Sequence, residues 1–133
     1  MFDLPLVFND WVWLILRVVF GLIFVAHGKR KLFGGLANTA QFFASIGLKP
    51  AKLLAIVVSF VEFFGGILVI IGLFTQVAAA LIGVVMIVAI LKVKLKKGLV
   101  DGYEFDLILL ACALALFVLG GGNFSLDQRF FSR

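Results

Sequence analysis

The stretch AKLLAIVVSFVEFFGGILVIIGLF, residues 51–74, decides the fold class. It is apolar without interruption over about the 20 residues that a helix needs to cross a bilayer, and its ionisable residues are Lys52 near its start and Glu62 near its middle. A membrane barrel strand would instead be short and alternate apolar with polar residues. Three further blocks of the same character run from Trp11 to Gly28, Thr75 to Leu91 and Tyr103 to Gly120. With 64% hydrophobic residues, 14% charged residues and a mean hydropathy of +1.23, the chain has too little polar surface for a soluble domain. The expectation is an all-α membrane protein of one domain over residues 1–133, an antiparallel four-helix transmembrane bundle with a short interfacial helix between the first two spans.

The connections support that architecture. Between Gly34 and Pro50, Asn38 or Thr39 can cap a short helix with Phe42, Phe43, Ile46 and Leu48 near one face, which predicts a helix at the interface. A tight turn around Gly72 to Gln76 makes the second and third spans a hairpin. Lys29, Arg30, Lys31, Lys49 and Lys52 occupy the first connection, Lys92, Lys94, Lys96 and Lys97 the third, and Arg129 and Arg133 the tail. The first and third connections share a side, so the positive-inside rule predicts a multi-pass plasma-membrane protein with both termini outside. The same placement explains the net charge of +5 by topology and argues against a nucleic-acid partner. Met1–Pro5 lacks a basic signal-peptide region, so the first span is read as retained. Trp11, Trp13 and Tyr103 suit either aromatic belts or packing against protein. Ala79 with Gly83, Ala111 with Ala115, and Gly65–Gly66 offer close helix approaches.

Two charges stand inside spans, where an ionisable residue needs a partner or a wet cavity. Counted from the inner ends of their helices, Arg17 and Glu62 each lie about 16 Å deep. Matched depth on antiparallel helices predicts that they contact each other or one shared molecule, as a structural clasp, the polar floor of a ligand pocket or a step in proton movement. At the inner rim His27 and Lys31 end the first span, while Asp101, Glu104 and Asp106 begin the fourth, where capping and snorkelling also account for charges. The candidate ligand-binding or buried polar residues are Arg17, Glu62, His27, Lys31 and Glu104. One histidine and one cysteine, Cys112, supply no metal site, and no catalytic set or phosphate loop is present. No catalytic residue and no intrinsic cofactor are predicted.

The segments RVVFGLIFVAHG (residues 17–28), KLFG (31–34), FASIGLKP (43–50), VEFFGG (61–66), GLFT (72–75), Glu104 and GGGNFSLD (120–127) resemble, in order and spacing, the DoxX family of small four-helix membrane proteins. The resemblance implies that fold and a connection to membrane redox and oxidative-stress complexes; one relative resembles a subunit of an archaeal thiosulfate:quinone oxidoreductase. Three functions follow for comparison. The first is a membrane subunit without turnover of its own, which binds a quinone-like or lipid-like apolar molecule in the bundle and works with other membrane or soluble redox subunits. The second is an anchor or assembly module without a ligand. The third is a proton or small-solute carrier, which four short spans acting as a monomer disfavour. The bilayer is a partner in all three, and a homo-oligomer is compatible with each. A cavity at the depth of the buried charges favours the first reading and a closed interior the second.

Overall fold

A computed structural model describes residues 6–132; Met1–Pro5, read above as the start of a retained span, and Arg133, counted above with the tail, lie outside the described residues. The described chain is helical, with no strand, and four of its helices are long and apolar enough to cross a membrane. Helix α1 spans Leu6–Leu32, α2 Leu36–Ser45, α3 Ala51–Ile71, α4 Thr75–Ala89, α5 Glu104–Leu119 and α6 Leu126–Phe131. The predicted bundle is therefore present. Helix α1 packs along α3, α3 along α4 and α4 along α5, with α2 laid against α3.

Each helix buries a stripe at helical spacing. On α3 it is Ala55, Ser59, Glu62, Gly66 and Val69; on α4 Ala78, Ala79, Ile82 and Met86; on α5 Asp106, Leu109, Ala113 and Leu116. Phe20 and Phe24 of α1 complete the core, their rings 4.8 Å apart. The opposite faces expose Leu, Val, Ile and Phe throughout, as lipid-facing helices do. In such a medium, close packing rather than the hydrophobic effect holds helices together. Glycine supplies that closeness between α1 and α3: a Cβ on Gly66 would lie 2.8 Å from the Gly21 carbonyl oxygen and the Val25 nitrogen, and one on Gly28 would strike the backbone of Phe63. Of the small-residue pairs named above, Ala79 and Gly83 are buried, with Gly83 facing Ala113, and Gly65–Gly66 is buried in α3. Ala111 with Ala115 is a correction: Ala111 is exposed, because the buried face of α5 runs through Ala113 instead.

Helix α3 ends at Gly72, whose left-handed conformation (φ 73°) allows Leu73 N–H to bond Leu68 O at 2.9 Å and Gly72 N–H to bond Val69 O at 3.2 Å. The predicted hairpin follows. At its far end, α4 runs on through a π-helical turn, Ile90–Lys94, and a 3₁₀ turn, Leu95–Lys97. Two boundaries differ from the expectation. Helix α1 continues past Gly28 to Leu32, because Lys29, Arg30 and Lys31 are good helix formers that complement the negative end of its dipole. Helix α2 starts at Leu36, so Asn38 and Thr39 lie inside it instead of capping it; Thr39 Oγ1 bonds back to Gly35 O at 2.8 Å.

Candidate functional site

Arg17 and Glu62 are both buried, at 1% and 2% exposure, but they do not pair. The α1–α3 register sets Gly21 against Gly66 and Ile70, and Gly28 against Phe63. Glu62 thus faces the end of α1, while Arg17 lies about 16 Å farther along α1 from Gly28. The matched-depth expectation fails because it took Gly28 as the inner end of α1 and Ala51 as level with it. With Gly28 against Phe63, the end of α1 at Leu32 falls short of Ala51, and α2 packs against α3.

Arg17 is instead the centre of a clasp at the end of the bundle that carries the tail. Its Nη2 donates to Phe124 O at 3.1 Å, and the Asp127 carboxylate is the nearby opposite charge. Asp127 in turn accepts from Phe74 N–H at 2.6 Å and Thr75 N–H at 2.8 Å, so the tail carboxylate caps α4, while its own N–H bonds Gly72 O at 2.8 Å. Trp11 meets Phe124 edge to face at 5.3 Å, and the Cβ of Trp13 crowds Gly122. These two tryptophans therefore pack against the returning tail. The clasp ties the tail to α1 and to the turn between α3 and α4, and Arg17 Nε and Nη1 and Thr75 Oγ1 are buried there without a hydrogen-bond partner.

The other buried charges converge elsewhere. Lys31 Nζ lies 2.8 Å from both Glu62 oxygens, which sets a lysine side chain 30% exposed against a glutamate side chain 3% exposed. A second pair joins Lys94 at the π-turn to Asp106 of α5, with Nζ 2.8 Å from Oδ2. That contact is close but poorly directed, and Oδ2 remains buried without an aligned hydrogen-bond donor. Both pairs line one cavity of about 720 Å³ between α1, α2, α3, α4 and α5. Its walls are otherwise mainly apolar, including Phe42, Phe43, Ile46 and Leu48 of the α2 segment, Val57, Val58 and Val61 of α3, and Val84, Val85 and Val88 of α4.

Of the predicted residues, Glu62, Lys31 and His27 therefore meet at the cavity, with His27 exposed on its rim. Arg17 and Glu104 do not line it. Glu104 is exposed and accepts from Asp101 N–H at 3.2 Å, which is a capping role in the turn before α5. Lys94, Asp106, Asn38 and Thr39 complete the polar lining and were absent from the predicted set, Asn38 and Thr39 being expected only as caps. Asp106 was legible: it precedes Leu109, Ala113 and Leu116 at helical spacing and belongs to their face. Lys94 was legible on the same ground, since it follows the buried Met86 and Ile90 at four-residue spacing and continues their face. Among the described residues no cluster of three potential metal ligands exists.

Four apolar helices, a tail clasp and partnered buried charges at one cavity define a small multi-pass membrane protein. The chain belongs to the DoxX family, whose model matches residues 12–95, more than half of its length. It is 41% identical over 114 residues to the Bacillus subtilis (strain 168) protein named "Putative oxidoreductase CatD", covering 86% of this chain and 83% of that one. It is 30% identical over 131 residues to "Uncharacterized membrane protein Rv3486" of Mycobacterium tuberculosis (strain ATCC 25618 / H37Rv), covering 89% and 80%. No solved structure matches the chain.

Proposed function

We propose that this chain is a non-catalytic membrane subunit of a redox-linked complex and that its cavity binds a quinone-like or lipid-like apolar molecule. The cavity carries the reading: about 720 Å³, mainly apolar, with a few polar groups converging on it, is the form of a small-molecule site. The name of the Bacillus relative supports a redox setting. One cysteine and one histidine do not make a redox centre, so electrons in such a complex would come from the ligand or a partner.

The test is to purify the protein in mild detergent, identify by mass spectrometry what is extracted from it, and measure decylbenzoquinone binding. Val58→Trp, which fills the cavity from α3, is expected to abolish both. No co-purifying apolar molecule and no measurable binding to the parent would overturn the ligand reading in favour of an anchor or assembly module.

A further inference from the structure

Lys31 and Lys94 stand at the same cavity in different states. Lys31 directs two of its N–H groups at the two oxygens of one carboxylate and is largely satisfied by Glu62. Lys94 makes a single, poorly aligned approach to Asp106 Oδ2 at 2.8 Å, so the buried oxygen has a charge partner but no aligned hydrogen bond. Asp106 is 6% exposed, and a buried carboxylate oxygen is left in this condition rarely. Lys94 closes the π-turn Ile90–Lys94, a departure from α-helix of the kind that recurs at functional sites.

Resting on the ligand reading above, we propose that Lys94 and Asp106 are the recognition end of the cavity, and that they take the oxygen-bearing head of a neutral ring. A carbonyl oxygen on such a ring accepts from the Lys94 ammonium, and a hydroxyl donates to Asp106 Oδ2. The pair thus accommodates both the carbonyl and the hydroxyl form of one molecule. Neutrality follows from charge closure. Each carboxylate at the cavity already has its own lysine, so a charged head would enter a low-dielectric space with no counter-charge to spare. The walls next to the pair, Val93, Phe105 and Leu109, offer the ring an apolar surround.

Four probes that share a decyl chain test this by equilibrium dialysis against the protein in detergent: decylbenzoquinone, decylhydroquinone kept anaerobic, decylbenzene and 4-decylbenzoate. The parent is expected to bind the quinone and the hydroquinone at least about tenfold more tightly than decylbenzene or the benzoate. The double variant Lys94→Met/Asp106→Leu removes the pair without stranding a charge. It is expected to erase the preference while leaving decylbenzene affinity unchanged. Lys94→Gln keeps a donor and a similar shape, and should weaken the quinone by several-fold, again without touching decylbenzene. Equal binding of the quinone and decylbenzene by the parent, tighter binding of the benzoate, or an undiminished preference in both variants would each overturn the assignment while leaving an apolar site in place. If no probe binds at all, the ligand reading itself falls, and this inference with it.

Discussion

Lys31 and Glu62 share one ion pair but differ in what each can do alone. Lys31 is partly exposed at the end of α1, and its long stem can carry the ammonium to the interface when Glu62 is lost. Glu62 has no such route, because it is buried in the middle of α3. Lys31→Met is therefore expected to destabilise the protein by about 3–5 kcal/mol, the range for a stranded buried charge, whereas Glu62→Gln is expected to cost about 1 kcal/mol or less. Thermal unfolding of both variants in one detergent checks the asymmetry, and equal losses would show that Lys31 is held as firmly as its partner. The lysine at the next pair follows a different logic. Lys94 follows the buried Ile90 by four residues and reaches Asp106 from the end of the π-turn, so its place at the cavity continues the buried face of α4. Arg17 shows a third arrangement, in which a buried cation gives one donor to the Phe124 carbonyl with the Asp127 carboxylate nearby, while its Nε and Nη1 have no hydrogen-bond partner.

At the scale of elements, the contact between α1 and α3 is the tightest constraint, and glycine sets it. A methyl group on Gly66 would meet backbone atoms of Gly21 and Val25, which cannot rotate away as a side chain can. Gly66→Ala should therefore force the helices apart at a cost of about 1–3 kcal/mol, as overpacking does. Gly83→Ala is the control, since its Cβ would sit at an ordinary 3.7 Å from the Ala113 Cβ, and it should change stability by less than about 1 kcal/mol in either direction. Denaturation of the two variants side by side decides this, and a Gly66→Ala protein as stable as the Gly83→Ala one would refute the close approach. The same contact explains what sequence could and could not give. Four spans, their hairpin and the short second helix follow from runs of apolar residues and from turn chemistry. The register of α1 on α3 does not follow, because it is set where Gly21, Gly28 and Gly66 let backbones meet, and Gly28 reads in sequence as an end of a helix. With that register misjudged, two buried charges were joined that belong to opposite ends of the molecule. The inward face of Asp106, by contrast, was written in the spacing of α5.

The whole molecule is polarised along its long axis. One end holds the tail clasp of Arg17, Phe124 and Asp127 with Trp11 and Trp13 packed onto it; the other holds the cavity and both lysine–carboxylate pairs. The basic residues follow the same division: the end of α1, the start of α3 and the connections after α1 and α4 carry nine lysines and arginines, against Arg129 in α6 and, in the sequence beyond the described residues, Arg133. Lys31 and Lys94 meeting at one cavity establishes that these two connections share an end of the bundle. By the positive-inside rule that end is expected in the cytoplasm and the clasp outside. A cysteine at Ser132, an exposed position just after α6, reports the side directly once the native thiol is removed with Cys112→Ala. On intact cells a membrane-impermeant maleimide is expected to label it fully, while a cysteine at Lys97, on the far connection, labels only after the cells are opened. The reverse pattern would invert the protein and place the mouth of the cavity toward the outside. A ligand exchanged there would then come from the outer leaflet, and a partner bound to the basic connections would have to be extracellular.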